Sequence, residues 1–311
     1  MNFDELALQL FAHQKNHNAI YREYISGIGK PIDISNANEI PFLPIEFFKT
    51  QEVKCGNFDP EIIFTSSGTT GLSTSKHYLK EMVVYERVYS KIFEQFYGDI
   101  KDFCIIALLP SYTEREGSSL VYMVSDLIKR SEHPLSDFYL NDFGKLSETL
   151  EHLKAHKQKT ILVGVTFALL DFAENFNIDF PELIVMETGG MKGRRKEMIR
   201  EEVHEILEQS FGVRIHSEYG MTELLSQAYS LGDGKFVCPP WMRIVITDIN
   251  DPFQQIPDGR SGIINMVDLA NCYSCAFIKT ADIGMKHSDG TFEVLGRVDN
   301  SDLRGCSLMY L

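Results

Sequence analysis

Short apolar runs with strand character recur through the first two thirds of this chain, and the segments between them carry helical periodicity. The runs are Ile62 to Phe64, Phe103 to Leu109, Thr160 to Val165 and Leu183 to Glu187; helical patterns such as Lys80 to Tyr97 and Arg195 to Gln209 separate them. That rhythm predicts an α/β fold, a layered α/β body built on a sheet. No fixed-period self-similarity appears, which sets repeat architectures aside.

The ends of the chain read differently. Phe3 to Ile25 carries apolar residues at Phe3, Leu6, Leu10, Ile20, Tyr21, Tyr24 and Ile25, the pattern of one or two helices packing one face on a body. Prolines in Ile40-Pro41-Phe42-Leu43-Pro44-Ile45 forbid a regular helix there. From about Phe236 the runs become short and β-rich: Arg243 to Asp248, Ser261 to Val267, Ala276 to Lys279 and Phe292 to Val294, with turn signals at Pro257-Asp258-Gly259 and Ser288-Asp289-Gly290. The expected organisation is an α/β body with an N-terminal helical segment over 1–235, a small β-rich subdomain over 236–298, and a short tail over 299–311.

Composition narrows the function classes. With 30 basic and 44 acidic side chains, the net charge is −14. A nucleic acid is therefore not the expected partner, because counterion release requires a basic face. The longest nearly apolar run, Ile161 to Leu170, is interrupted by Thr166 and falls short of the roughly 20 apolar residues a membrane span needs. No membrane span is expected. An acidic start, Met1-Asn2-Phe3-Asp4-Glu5, and six scattered cysteines point to a cytoplasmic protein with reduced thiols.

Two segments carry chemistry. Thr65-Ser66-Ser67-Gly68-Thr69-Thr70-Gly71 follows a strand-like run and packs five hydroxyls and two glycines into seven residues. Glycines let backbone approach a ligand, and hydroxyls with exposed amides can wrap phosphate oxygens; an ordinary Ser/Thr/Gly turn would read the same. It is not a Walker A loop, since the Gly-Lys-Ser/Thr ending is missing. Tyr219-Gly220-Met221-Thr222-Glu223 places a hydroxyl beside a carboxylate after a strand, an arrangement that can hold an α-phosphate and Mg²⁺ together. A surface turn entering a helix, with Thr222 and Glu223 as cap residues, is the other reading.

In this order and separation, the two segments resemble those of the adenylate-forming superfamily. Three further matches agree: Gly189-Gly190 between them, Asp282 in Thr280-Ala281-Asp282-Ile283-Gly284, and Gly296-Arg297-Val298-Asp299 followed by Arg304-Gly305. Within that superfamily the chain looks most like the acyl-protein synthetases of bacterial fatty-acid reductase complexes, on the strength of Ile40 to Lys49 and the ending Arg304-Gly305-Cys306-Ser307-Leu308.

The resemblance implies activation of a carboxylic, fatty acid by ATP as acyl-AMP, then transfer of the acyl group to a thiol. It implies that Thr65 to Gly71 hold the β- and γ-phosphates, Thr222 the α-phosphate and Glu223 the Mg²⁺. Gly189, Gly190 and Tyr219, with Gly220 beside it, would border the adenine, and Asp282 and Arg297 would hold the ribose. Tyr112 lies where relatives place an aromatic beside the acyl pocket. Cys306 would accept the acyl group before it passes to a partner such as a reductase or carrier protein; a small residue filling a gap is the other reading. Larger relatives continue into a mobile C-terminal domain that brings a lysine, whereas this sequence stops six residues after Gly305. An aryl- or acyl-CoA ligase of the phenylacetate type is the enzymatic alternative, a weakly catalytic nucleotide-binding scaffold the non-enzymatic one, and a homo-oligomer is left open.

Two lesser patterns receive structural readings. Cys272-Tyr273-Ser274-Cys275 has redox or zinc spacing but lacks further ligands, so a strand with alternate residues buried is expected. His152 and His156 read as a polar helix face.

Overall fold

Backbone contacts divide the chain into two units: Pro60–Pro239 form one, and the residues before Pro60 join those from Pro240 onward in the other. The structure, a computed structural model, describes residues 2–29, 33–66, 74–110, 117–140, 142–189 and 198–298. Ser67, Gly68, Thr69, Thr70, Gly71, Tyr112, Gly190, Cys306 and the 299–311 tail lie outside the described residues.

The chain opens with α1 (Phe3–His17) and α2 (Ala19–Gly27). Asn2 and Glu5 form a reciprocal capping box at the start of α1, satisfying two otherwise orphaned N–H groups. Asn18 then closes one helix and opens the next: its backbone N–H donates to Gln14 O, and its side chain accepts from Tyr21 N. A two-residue strand β1 (Leu43–Pro44) and α3 (Phe47–Thr50) follow.

The Pro60–Pro239 unit begins with a hairpin of β2 (Ile62–Thr65) and β3 (Lys76–Leu79). Then come α4 (Met82–Tyr97), β4 (Cys104–Leu108), α5 (Ser119–Ser131), β5 (Asp137–Phe138), α6 (Phe143–Ala155), β6 (Thr160–Val165), α7 (Thr166–Ala173), β7 (Leu183–Thr188), α8 (Arg200–Phe211), β8 (Ile215–Tyr219) and β9 (Ala228–Ser230). The six strands from β4 to β9 form one sheet in the order β5-β4-β6-β7-β8-β9, parallel except for β9. Every residue of β4 and β6 is buried. That explains why these strands read as continuous apolar runs rather than alternating ones: parallel strands are covered on both faces.

In the other unit, β10 (Met242–Thr247), β11 (Ser261–Asp268), β12 (Phe277–Lys286) and β13 (Phe292–Arg297) join β1 in a five-stranded sheet. The long β12 pairs with β11 along one side; its other side takes β1 in parallel at Ile278 and Lys279, then β13 in antiparallel from Asp282 to Lys286.

Two expectations are corrected. The N-terminal segment belongs with the β-rich unit rather than with the α/β body, because its buried amides are spent there. Gln14, fully buried, donates from Nε2 to the carbonyls of Asn271 and Cys272 at 2.9 and 3.2 Å, and its Oε1 accepts from Ala276 N at 2.9 Å. Asn18 Nδ2 donates to Ser274 O at 3.0 Å. For the same reason Cys272-Tyr273-Ser274-Cys275 is a turn leading into β12 and not a strand: these α1 and α2 side chains take the backbone groups a ladder would use.

Gln14→Leu keeps the volume but strands one N–H and two carbonyls in the interior. Urea denaturation should show a loss of roughly 2–4 kcal/mol, since each buried unsatisfied group costs about 1–3 kcal/mol and some rehydrate.

Candidate active site

Parallel strands bring their C-terminal ends to one edge of the sheet, where open α/β folds bind ligands. At this edge β7 runs out into Thr188-Gly189 and β8 into Tyr219-Gly220, with Thr188 paired to Glu218. Gly189 has φ +75°, a conformation side chains disfavour. At Gly220 a Cβ would overlap Glu218 Oε1 and press on Gln227 Cγ at 3.3 Å, so the turn closes over these two side chains only because position 220 has none. Tyr219 is buried, its ring edge-on to Phe236 at 5.8 Å.

Past Gly220 the backbone does not enter a helix; it runs irregularly to β9. Thr222 is half-buried, and Glu223 is 4% exposed. The cap-residue reading of Thr222 and Glu223 therefore fails, since a solvated helix start would leave the carboxylate in water. Nearby, Gln227 Oε1 is buried without a hydrogen-bond partner among the described residues.

The β2–β3 hairpin carries the ends of the hydroxyl loop to this turn. Ser66 N donates to Ser75 O at 3.1 Å and Ser66 Oγ accepts from Ser75 N at 2.9 Å, closing the base of the loop. Thr65 N donates to Gly117 O at 2.7 Å. On β3, His77 is buried and its Nδ1 donates to the Thr222 carbonyl at 2.8 Å. A carbonyl only accepts, so this contact places the ring proton on Nδ1. His77 thus ties the hairpin of the hydroxyl loop to Thr222, 145 residues further along the chain, and the sequence reading missed it: one histidine in a short strand carries no motif. Lys76 next to it is exposed.

Asp282 and Arg297 lie on the β-rich unit, paired in register across β12 and β13, with Arg297 Nε 3.4 Å from Asp282 Oδ1. Thr280 Oγ1 accepts from Asp282 N at 3.0 Å and holds the strand beneath the carboxylate. Asp282 is largely covered, whereas Arg297 is exposed.

No group of three or more metal-ligating side chains occurs among the described residues. Glu223 offers a single buried carboxylate, a donor set that suits Mg²⁺ when phosphate oxygens supply the remaining ligands. His152 and His156 lie with their rings tilted at 4.4 Å on the exposed C-terminal end of α6. Among the described cysteines, burial pushes the Cys55 and Cys104 thiols up to about 11, with Cys272 adding to the effect at Cys55, and the Cys275 thiol up to about 12. None of these three is a nucleophile near neutral pH.

Burial raises Glu218 to about 7, an effect that neighbouring Glu187 reinforces and the 2.5 Å bond from Thr188 Oγ1 opposes. Because the folded value lies above the ordinary 4.5, the folded state binds the extra proton. The Glu218 contribution is then intact below about pH 4.5 and is lost as pH rises through about 7. Relative to Glu218→Gln, the wild type should lose roughly 3 kcal/mol of stability across that window; parallel denaturation curves from pH 4 to pH 8 measure the difference.

Comparison with known proteins agrees with this architecture. An open conformation of 2-hydroxyisobutyryl-CoA ligase in complex with 2-HIB-AMP and CoA superposes with a TM-score of 0.70 at 12% identity, covering 95% of this chain and 74% of that one. ATP-bound MatB from Rhodopseudomonas palustris gives 0.58 at 17% identity over 78% of this chain; the chain spans about half (49%) of the MatB length. The fold is that of adenylate-forming ligases. A long-chain-fatty-acid–luciferin-component ligase of Vibrio harveyi is 25% identical over 326 residues, 96% of this chain and 84% of the relative. Residues 2–310 match the LuxE acyl-protein synthetase family, and the chain belongs to that family.

Proposed function

We propose that this protein activates a fatty acid with ATP and passes the acyl group, by way of its own Cys306, to a thiol of a partner protein. The observation that carries the reading is the buried Glu223, set beside Thr222 on a non-helical turn that His77 ties to the hydroxyl-loop hairpin. Membership of the acyl-protein synthetase family supports it.

In the first step a carboxylate oxygen of the acid attacks the α-phosphorus, the bond to the β-phosphate oxygen breaks, and pyrophosphate leaves with the electron pair. Thr65 to Gly71 would cradle the β- and γ-phosphates, and Thr222 would donate to the α-phosphate. Gly189, Gly190, Tyr219 and Gly220 would border the adenine; Asp282 and Arg297 would take the ribose hydroxyls; Tyr112 would line the acyl pocket. Glu223 would hold Mg²⁺, which when bound supplies the positive charge that balances the phosphates. Catalysis of this kind rests on positioning and charge neutralisation rather than on covalent work by the protein. In the second step the Cys306 thiolate attacks the acyl carbonyl, AMP departs, and a thioester remains. A reaction that uses ATP and a reduced thiol belongs in the cytoplasm.

Glu223→Gln keeps the shape and removes the charge, so acid-dependent pyrophosphate exchange at limiting Mg²⁺ should fall about 100-fold or more with the fold unchanged. Undiminished exchange would remove Glu223 from the site.

Cys306→Ser separates the two steps. Exchange should persist, while covalent labelling by radioactive fatty acid with ATP, stable to denaturation and released by neutral hydroxylamine, should vanish. Replacing Cys272 or Cys275 should leave the label in place. Label surviving on Cys306→Ser takes the acceptor role from that residue. Accumulation of acyl-CoA with no label on the wild type would favour a CoA ligase.

A further inference from the structure

Behind the strand ends lies a buried cluster that the proposed chemistry does not use. Glu187 occupies the next-to-last position of β7, opposite Gly164 on β6 and Ser217 on β8, and is 6% exposed. Thr166, Ser217 and His204 around it are buried too. Thr166 Oγ1 makes hydrogen-bond contact with two acceptors, Glu187 Oε1 and, at 3.0 Å, the Gly189 carbonyl.

A threonine hydroxyl has one proton, while a carboxylate and a carbonyl only accept. With Glu187 ionised, the Thr166 proton serves one contact and leaves the other without a donor. With a proton on Glu187 both bonds form: the carboxyl O–H donates to Thr166 Oγ1, and Thr166 donates to Gly189 O. On the other side Ser217 bonds the same carboxyl group and meets His204 Nε2 at 3.2 Å. His204, lowered to about 4 chiefly by burial, is neutral and has a proton to give to Ser217.

We propose that Glu187 is a positioning residue for the activation step: its carboxyl O–H, relayed through Thr166 to the Gly189 carbonyl, holds Gly189 at the end of β7 in the conformation the nucleotide requires. This rests on the ATP-dependent reading of the site. Burial raises the Glu187 carboxyl above its usual range, against opposing pulls from Thr166, Arg200 and Ser217. Among the described residues, the charged or titratable groups near it are Arg200 and His204 on α8 and, on the other face of the sheet, Glu218 on β8; α7 and β6 present Thr166 and Gly164. As pH rises and Glu187 ionises, the carboxylate claims the Thr166 proton and the Gly189 carbonyl loses its donor, so the KM for ATP climbs.

Two measurements test the proposal. Infrared difference spectra of wild type against Glu187→Gln at pH 7, taken without any ligand, should contain the band of a protonated carboxyl. ATP binding by calorimetry and the KM in pyrophosphate exchange should weaken roughly fivefold in Thr166→Val and in Glu187→Ala, the worth of about one hydrogen bond, with kcat little changed. Glu187→Gln donates from Nε2 in place of the O–H, so it should recover most of the affinity and abolish the alkaline rise in KM. An ionised-carboxylate signal overturns the proposal, as does wild-type ATP affinity in both Thr166→Val and Glu187→Ala, or a Glu187→Gln variant as weak as Glu187→Ala. A wild type that binds no ATP overturns the functional reading and this role within it, whereas the infrared band separately decides where the proton sits.

Discussion

The parallel pairing of β7 with β8 is the constraint on which the candidate site of the Pro60–Pro239 unit depends. It sets Thr188 against Glu218, so that the strands end together and deliver Gly189 and Tyr219-Gly220 to one edge. Slipping this register by one residue would turn Thr188 and Glu218 to opposite faces of the sheet and break the hydroxyl-to-carboxylate bond between them. The turn carrying Thr222 and Glu223 would then lose the support beneath Gly220.

That edge is also where the unit holds its least favourable groups. Glu187 is buried and Glu218 on the neighbouring strand is partly covered, a buried amide oxygen of Gln227 has no partner among the described residues, and Glu223 is kept from water. Elsewhere the same sheet is filled with Ile, Leu and Val, as in β4 and β6. Destabilising polar burial confined to one strand edge is characteristic of a site under functional constraint, since a core selected for stability alone would replace such groups with apolar ones. Hydroxyls of Thr166, Thr188 and Ser217 offset part of the cost, and because each has one proton to give, they also order the protons around the carboxyls.

The β-rich unit is held together by a different interaction. Its sheet is completed by residues from both ends of the sequence, with β1 on β12 and the amides of Gln14 and Asn18 on the turn before β12. Phe11 and Tyr21 pack against Phe277 at 6.2 and 6.1 Å beneath those bonds. Asp282 lies further along β12 and Arg297 opposite it on β13, so the strand that the N-terminal amides anchor carries one of the two candidate ribose ligands and pairs with the other.

Much of this architecture was legible in the sequence. The runs at Ile62, Cys104, Thr160 and Leu183 are strands because a strand buried on both faces must be apolar throughout, and the helix over Met82–Tyr97 shows its period just as plainly. The hydroxyl loop, Gly189 and the Tyr219–Glu223 segment were visible as local patterns of glycines, hydroxyls and a carboxylate. What sequence could not supply were pairings between distant residues. His77 on Thr222, Gln14 on Cys272, and Thr166 shared by Glu187 and Gly189 each join positions with no common local motif. Short strands such as β3, β5 and β9 escaped notice because two to four residues carry too little periodicity to register. Burial decided the rest: the sequence by itself determined that Glu223 stands beside a threonine after a strand, while only the tertiary structure decided that this carboxylate is out of water, because burial depends on what the rest of the chain folds over it.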